Sequence, residues 1–227
     1  FYDLRKDRLR IREFAVSGNE VINAEDIIAS VTRSLSGWYF YLIPRDSVLL
    51  YPKSAMIEEL SRHYPRISYA GASLDGIRKL AITVSERKPY ALYCPKSSES
   101  CYFLDREGFI FDQAPVFSEG VYFTYLSDME GDPRGKSLMS SDEFRELSQF
   151  VENLEFLGAE PFSLTLSDYQ RILKISGNAE IIWSHDNDLY LIFSNLESFI
   201  RDRGDDFWEK ILEVDLRTED KVFYKFK

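Results

Sequence analysis

The stretch Leu80-Ala81-Ile82-Thr83-Val84-Ser85-Glu86-Arg87-Lys88-Pro89-Tyr90-Ala91 divides the chain. Leu80, Ile82 and Val84 alternate with Ala81, Thr83 and Ser85, the period-2 pattern of a strand with one buried face. Pro89 has no backbone N–H and breaks the run. Just upstream, Asp75-Gly76 is a turn signal, and Ile67-Ser68-Tyr69 before it supplies the other arm of a hairpin. The hairpin closes a small unit.

Working further upstream, residues 10–18 carry Ile11, Phe14 and Val16 and read as a strand closed by Gly18-Asn19. Asn23 is placed as an N-cap, with Glu25 and Asp26 at the positive end of a helix whose Ile27, Ile28, Val31 and Leu35 share a face; Gly37 stops it. Pro52 opens a second helix on Met56, Ile57 and Leu60, and Pro65 marks its end. His63 lies at that end as a surface residue compatible with the dipole. Between the helices, Trp38-Tyr39-Phe40-Tyr41-Leu42-Ile43-Pro44 is unusually apolar for a connection. It is expected to pack between helix and sheet, with a membrane-dipping loop as the alternative. Residues 10–88 thus follow a strand-helix-helix-strand-strand order, preceded by a lead-in over 1–9.

Downstream of Pro89 the reading turns β-rich. Short strands are expected at 90–94, 101–105, 109–111 and near 121–126, with a loop from Asp128 to Lys136. Ser140 and Glu143 have capping-box spacing before a helix on Phe144, Leu147, Val151 and Leu154, with Gly158 beyond its end. After Pro161 a meander over 162–166, 170–175, 180–184 and 189–193 is expected, its last turn being His185-Asp186-Asn187-Asp188. Ser194 and Glu197 repeat the capping-box spacing before a second helix with Leu196, Phe199 and Ile200. Gly204 breaks it ahead of Trp208, Ile211 and Leu212. Val214-Asp215-Leu216-Arg217 and Lys221–Phe226 are two final strand-like pieces. The class is α+β: a small unit, then a larger, mostly antiparallel β unit over 89–227 with two helices.

Charge separates the same halves. The 28 Lys+Arg and 38 Asp+Glu give a net charge of −10. Residues 1–90 hold 14 basic and 11 acidic side chains, and residues 91–227 hold 14 and 27. This balance argues against a nucleic-acid partner, whose phosphates require neutralisation. The longest apolar run, Trp38 to Ile43, falls far short of the roughly 20 residues of a membrane span. A chain opening on Phe1 reads as a fragment or a processed form, and Arg5, Lys6, Arg8, Arg10 and Arg12 suit either a juxtamembrane lead-in or a solvated one.

Cys94 and Cys101 flank a short polar stretch between apolar runs, which makes them neighbours across a hairpin. A disulfide is expected, with two inert thiols as the alternative; neither His nor a third Cys is close enough in sequence to support zinc. No nucleophile motif, phosphate loop or dinucleotide fingerprint is present. His185-Asp186-Asn187-Asp188 is the sharpest acid/base or metal candidate, and polar turn chemistry accounts for it better. Asp205-Asp206 reads as a solvated helix face. No catalytic, metal or cofactor residue is assigned.

Phe14-Ala15-Val16-Ser17-Gly18-Asn19 before a helix resembles the opening of a POTRA domain. The Leu80–Ala91 stretch resembles the strand and E-R-x-P-x-A junction of the FtsQ/DivIB family of bacterial cell-division proteins. Asp105-Arg106-Glu107-Gly108-Phe109-Ile110-Phe111 is similar to that family's D-x-x-G-x-x-F segment, and Val214-Asp215-Leu216-Arg217 with Lys221-Val222 resembles its closing D-L-R strand. The likeness covers about residues 10–225. The cysteines, the Trp38–Ile43 stretch and Thr218, where some members carry an aromatic, depart from the pattern.

The resemblance implies a non-catalytic scaffold of the divisome. One transmembrane helix before residue 1 would place this fragment outside the bacterial inner membrane, at the division septum. There it would hold FtsB/DivIC-like and FtsL-like division proteins, and through them a septal peptidoglycan synthase. Leu216, Arg217, Lys221, Val222, Phe223 and Tyr224 are the expected partner-binding residues on a terminal strand, with Arg217 meeting a partner carboxylate. An inner strand with its aromatics in the core is the alternative. The rival functions are a POTRA-bearing module of a secretion or outer-membrane assembly system, and an extracytoplasmic acid/base hydrolase.

Overall fold

The computed structural model describes residues 9–118, 120–201, 203, 207–218 and 221–227. Asp205-Asp206, Gly204 and most of the lead-in lie outside these residues. The chain divides into two compact units, Phe1–Lys88 and Pro89–Lys227, so the break falls at Pro89.

The first unit runs β1 (Glu13–Ser17), α1 (Ala24–Ser34), a small hairpin β2 (Trp38–Tyr39) and β3 (Ile43–Pro44), α2 (Lys53–His63), β4 (Ile67–Asp75) and β5 (Lys79–Glu86). Its sheet has the order β1-β5-β4, with β1 parallel and β4 antiparallel to β5. The alternation in β5 does what period 2 requires: Leu80, Ile82 and Val84 are buried with Ile27, Val31, Met56 and Leu60 from the two helices. The apolar hairpin departs from expectation. Phe40 and Tyr41 do not pack between helix and sheet; they are 91% and 93% exposed. The cause is local: the two residues form the turn that joins β2 to β3, closed by the hydrogen bond from the Leu42 N–H to the Tyr39 carbonyl, and are not part of a strand or helix face.

The second unit contains β6 (Ala91–Cys94), β7 (Tyr102–Leu104), β8 (Ile110–Gln113), β9 (Thr124–Leu126), α3 (Ser141–Asn153), β10 (Pro161–Leu166), β11 (Gln170–Ile175), β12 (Ala179–Ser184), α4 (Leu189–Ile200), α5 (Phe207–Lys210), β13 (Ile211–Asp215) and β14 (Phe223–Phe226). One nine-stranded sheet has the order β14-β13-β12-β11-β10-β9-β6-β7-β8. Most pairings are antiparallel; β9 is parallel to both β6 and β10, and β12 is parallel to β13. Its main core joins Leu164, Leu173, Ile181 and Trp183 to Phe144, Leu147, Phe150 and Val151 of α3 and to Ile192 and Leu196 of α4. A second cluster, with Leu92, Phe103 and Phe111, forms beside Cys94.

Two expectations fail here. Residues 189–193 are the first turns of α4, not a strand, and Ser194 and Glu197 lie inside that helix. Asp188 is the N-cap: its side chain accepts the N–H of Tyr190 at 2.8 Å and of Leu191 at 3.2 Å. Leu189, Ile192, Phe193, Leu196, Phe199 and Ile200 then recur at helical spacing against the core. Ile211 and Leu212 open β13 directly after α5, and the unit has three α-helices among the described residues where two were expected.

Candidate functional site

The motif residues behind the family resemblance hold the fold together. Glu86 ends β5, and its carboxylate accepts the backbone N–H groups of Glu20 at 2.8 Å, Val21 at 3.1 Å and Ile22 at 3.0 Å. These donors precede Asn23, whose side chain makes no capping hydrogen bond to α1, so Glu86 adds a third carboxylate near a helix start that already carries Glu25 and Asp26 in its first turn. Arg87 donates from Nε to the carbonyl of Pro65 at 3.1 Å. In the D-x-x-G segment, the buried Asp105 carboxylate accepts from Glu107 N–H at 3.0 Å and Phe109 N–H at 2.9 Å. Gly108 follows at φ +76°, and a Cβ there would stand 2.6 Å from the Phe144 ring.

The polar turn after β12 is also structural. Asn187 Oδ1 accepts the Ser184 N–H at 2.8 Å, and Asp188 caps α4. Arg171 Nη2 lies 2.7 Å from His185 Nδ1. A guanidinium only donates, so Nδ1 accepts and the ring proton resides on Nε2. Burial lowers the pKa of Arg171 from its ordinary value. A cleft of about 360 Å³ opens beside this pair, with Glu143, Glu146 and Trp183 on its walls. Among the described residues, no group of three or more His, Cys, Asp and Glu side chains is placed to hold a metal ion.

Cys94 and Cys101 form a disulfide with a Cα–Cα distance of 4.3 Å. It closes the turn between β6 and β7 at the margin of the sheet's second cluster.

The strongest surface feature lies at the other end of the sheet. β14 pairs with β13 alone, which makes it the terminal strand. Register sorts its side chains. Tyr224 stands opposite the buried Val214, on the side that faces the helices, whereas Phe223 opposite Asp215 and Lys225 opposite Glu213 face the other way. Phe223, Tyr224 and Phe226 are 54%, 43% and 58% exposed, so the aromatics of this strand are not core residues. Tyr224 packs against Phe199 of α4 at 5.1 Å between ring centroids and against Phe226 at 5.3 Å. The Arg203 guanidinium lies 3.7 Å from the Phe199 ring centroid. Lys225 Nζ pairs with Glu213 at 2.9 Å.

Two expected contact residues are committed elsewhere. Leu216 is buried, because it shares the parity of Val214 and points into the core. Its N–H donates to the Ile182 carbonyl at 2.7 Å. Arg217 does not offer a free guanidinium to a partner: Nε and Nη2 grip the Asp215 carboxylate at 2.9 Å and 2.6 Å. Lys221 is exposed and Val222 is half-buried against the core. Phe226 joins the exposed patch without having been expected as a contact residue, and the half-buried Phe199, expected only as an apolar residue of its helix, backs it from α4. The i, i+2 spacing of Tyr224 and Phe226 was the signal for the first; the second required knowing that α4 begins at Leu189. No family model matches this chain, and no curated protein matches it.

Proposed function

We propose that this chain is the extracytoplasmic part of a non-catalytic division scaffold of the FtsQ/DivIB kind. In this reading the first unit is of POTRA type and a single transmembrane helix before Phe1 anchors the protein in the bacterial inner membrane. The second unit holds FtsB/DivIC-like and FtsL-like division proteins at the septum, and through them the septal peptidoglycan synthase. The observation that carries this reading is β14, a short terminal strand with exposed aromatics on both faces. The outer edge of such a strand presents N–H and C=O groups to which an extended partner segment adds as a further strand. Phe223 contacts the added strand on one face, and Tyr224 and Phe226 on the other. Asp215 and Arg217 brace the edge, and Leu216 fixes it to the core.

The test is titration of the purified chain with the extracytoplasmic segments of FtsB-like and FtsL-like proteins from the same cell. A version ending at Lys221 lacks β14 but retains Val214 and Leu216 in the core. Saturable binding by the intact chain, weakened roughly a hundredfold or more in the folded truncation, supports the edge-strand role. Absence of binding by the intact chain at high micromolar concentration overturns it and favours the secretion-module reading.

A further inference from the structure

The hairpin between α1 and α2 breaks a local rule. Leu42 N–H donates to the Tyr39 carbonyl at 3.0 Å, which closes a turn around Phe40 and Tyr41. Both residues have positive φ, 49° and 59°. Asn and Gly fill such turns at low cost, whereas bulky side chains there are uncommon. Two aromatic rings therefore occupy the positions where the backbone least favours them, and both rings are almost wholly exposed. A turn that existed only to connect two helices has no need of either ring.

The chain flanking the hairpin is net basic. From Ser30 to Lys53 the basic residues are Arg33, Arg45 and Lys53, and the one acid is Asp46. Asp46 is held by Arg10 at 2.8 Å. Arg45 lies over the Tyr39 ring at 5.6 Å, and its buried Nε has no hydrogen-bond partner. The exposed aromatic patch on β14 belongs to the half of the chain with 27 acidic against 14 basic residues. An anionic surface attracts the hairpin and repels that half.

We propose that the hairpin is a membrane-surface anchor. Phe40 and Tyr41 enter the boundary between headgroups and acyl chains of an anionic phospholipid bilayer, where aromatic rings partition favourably. Arg33, Arg45 and Lys53 meet the phosphates. The anchor is independent of the edge-strand reading, because it involves a different unit and a different class of partner.

The test uses the purified 227-residue chain and sedimentable vesicles of phosphatidylcholine with and without about 30% phosphatidylglycerol. Trp183 and Trp208 are buried and Trp38 is exposed, so a blue shift of emission on binding reports Trp38. Phe40→Asn combined with Tyr41→Gly installs residues that suit the turn and keeps the fold, verified by an undiminished Tm. The expected result is co-sedimentation with anionic vesicles accompanied by a blue shift, falling roughly tenfold in the Asn/Gly variant and also in Arg33→Glu with Lys53→Glu. Equal partitioning of the Asn/Gly variant overturns the proposal, as does failure of the intact chain to bind at millimolar lipid. Self-association that the Asn/Gly variant abolishes also overturns it, in favour of a second copy of the chain on the hairpin.

Discussion

Glu86 accepts the backbone N–H of Glu20 at 2.8 Å although 66 residues separate them. One carboxylate thereby ties the end of β5 to the approach to α1, which is braced within itself by Asn19 Nδ2 donating to the Ile22 carbonyl at 2.9 Å. Glu86→Ala leaves three inward-facing N–H groups short of an acceptor, with an expected loss of about 3 kcal/mol in unfolding free energy. Urea denaturation checks this, and a midpoint equal to that of the parent chain would refute the role of the carboxylate.

Gly108 and Gly76 have similar positive φ, +76° and +80°, in different surroundings. A Cβ at Gly76 meets nothing within 4 Å, whereas one at Gly108 meets the Phe144 ring at 2.6 Å. Gly76→Ala is expected to cost about 1 kcal/mol, the backbone penalty alone. Gly108→Ala adds overpacking of α3 and is expected to cost about 3 kcal/mol. Equal losses for the two variants would remove the close packing from the account.

Asp215 has its pKa lowered chiefly by the side-chain hydrogen bonds from Arg217, against a smaller opposing effect of burial. A carboxyl whose native pKa is depressed contributes stability that is fully present above the ordinary value of about 3.9 and is lost as pH falls through the lower native value. The difference in unfolding free energy between the parent chain and Asp215→Asn should therefore be widest near neutral pH and close in acid. Denaturation curves from neutral to strongly acidic buffer measure it, and a gap constant across that range contradicts the pairing.

The Cys94–Cys101 disulfide spans a sequence separation of only seven. Loop-closure entropy for so short a ring gives about 2–3 kcal/mol of stabilisation. Reduction, verified by alkylation of both thiols, should lower the denaturation midpoint accordingly. An unchanged midpoint would mean that the β6–β7 hairpin is held by its packing alone.

The first unit was legible because its signals agree with one another. Period 2 over Leu80–Val84, the Asp75-Gly76 turn and Pro52 and Pro65 around α2 each indicate the same element the structure forms. The second unit carries conflicting signals. Leu189-Tyr190-Leu191-Ile192-Phe193 is rich in residues common in strands, and Ser194 with Glu197 imitates a helix start, so the true cap at Asp188 was hidden inside what read as a turn. Leu216 looked available for contact until its parity with Val214 fixed it in the core. The exposure of Phe40 and Tyr41 was the lesser of two readings of an apolar connection, since apolarity ordinarily argues for burial. The parallel partners of β9 were equally hidden, because the residues it meets lie far away along the chain.

That last pairing governs how the sheet comes together. β6-β7-β8 and β10-β11-β12 are successions of hairpins, each closed by a nearby turn. β9 joins the two groups through Leu92↔Thr124 on one side and Ser163↔Thr124 on the other, and a parallel pair admits no tight turn. Long loops must be ordered before either junction returns any contact energy, so the two sides of the seam carry a larger loop-closure cost than the hairpins they join. Nine strands become one sheet only when the chain from 94 to 124 and from 126 to 163 is ordered, and the parallel β12–β13 pair asks the same of the chain between Ser184 and Ile211.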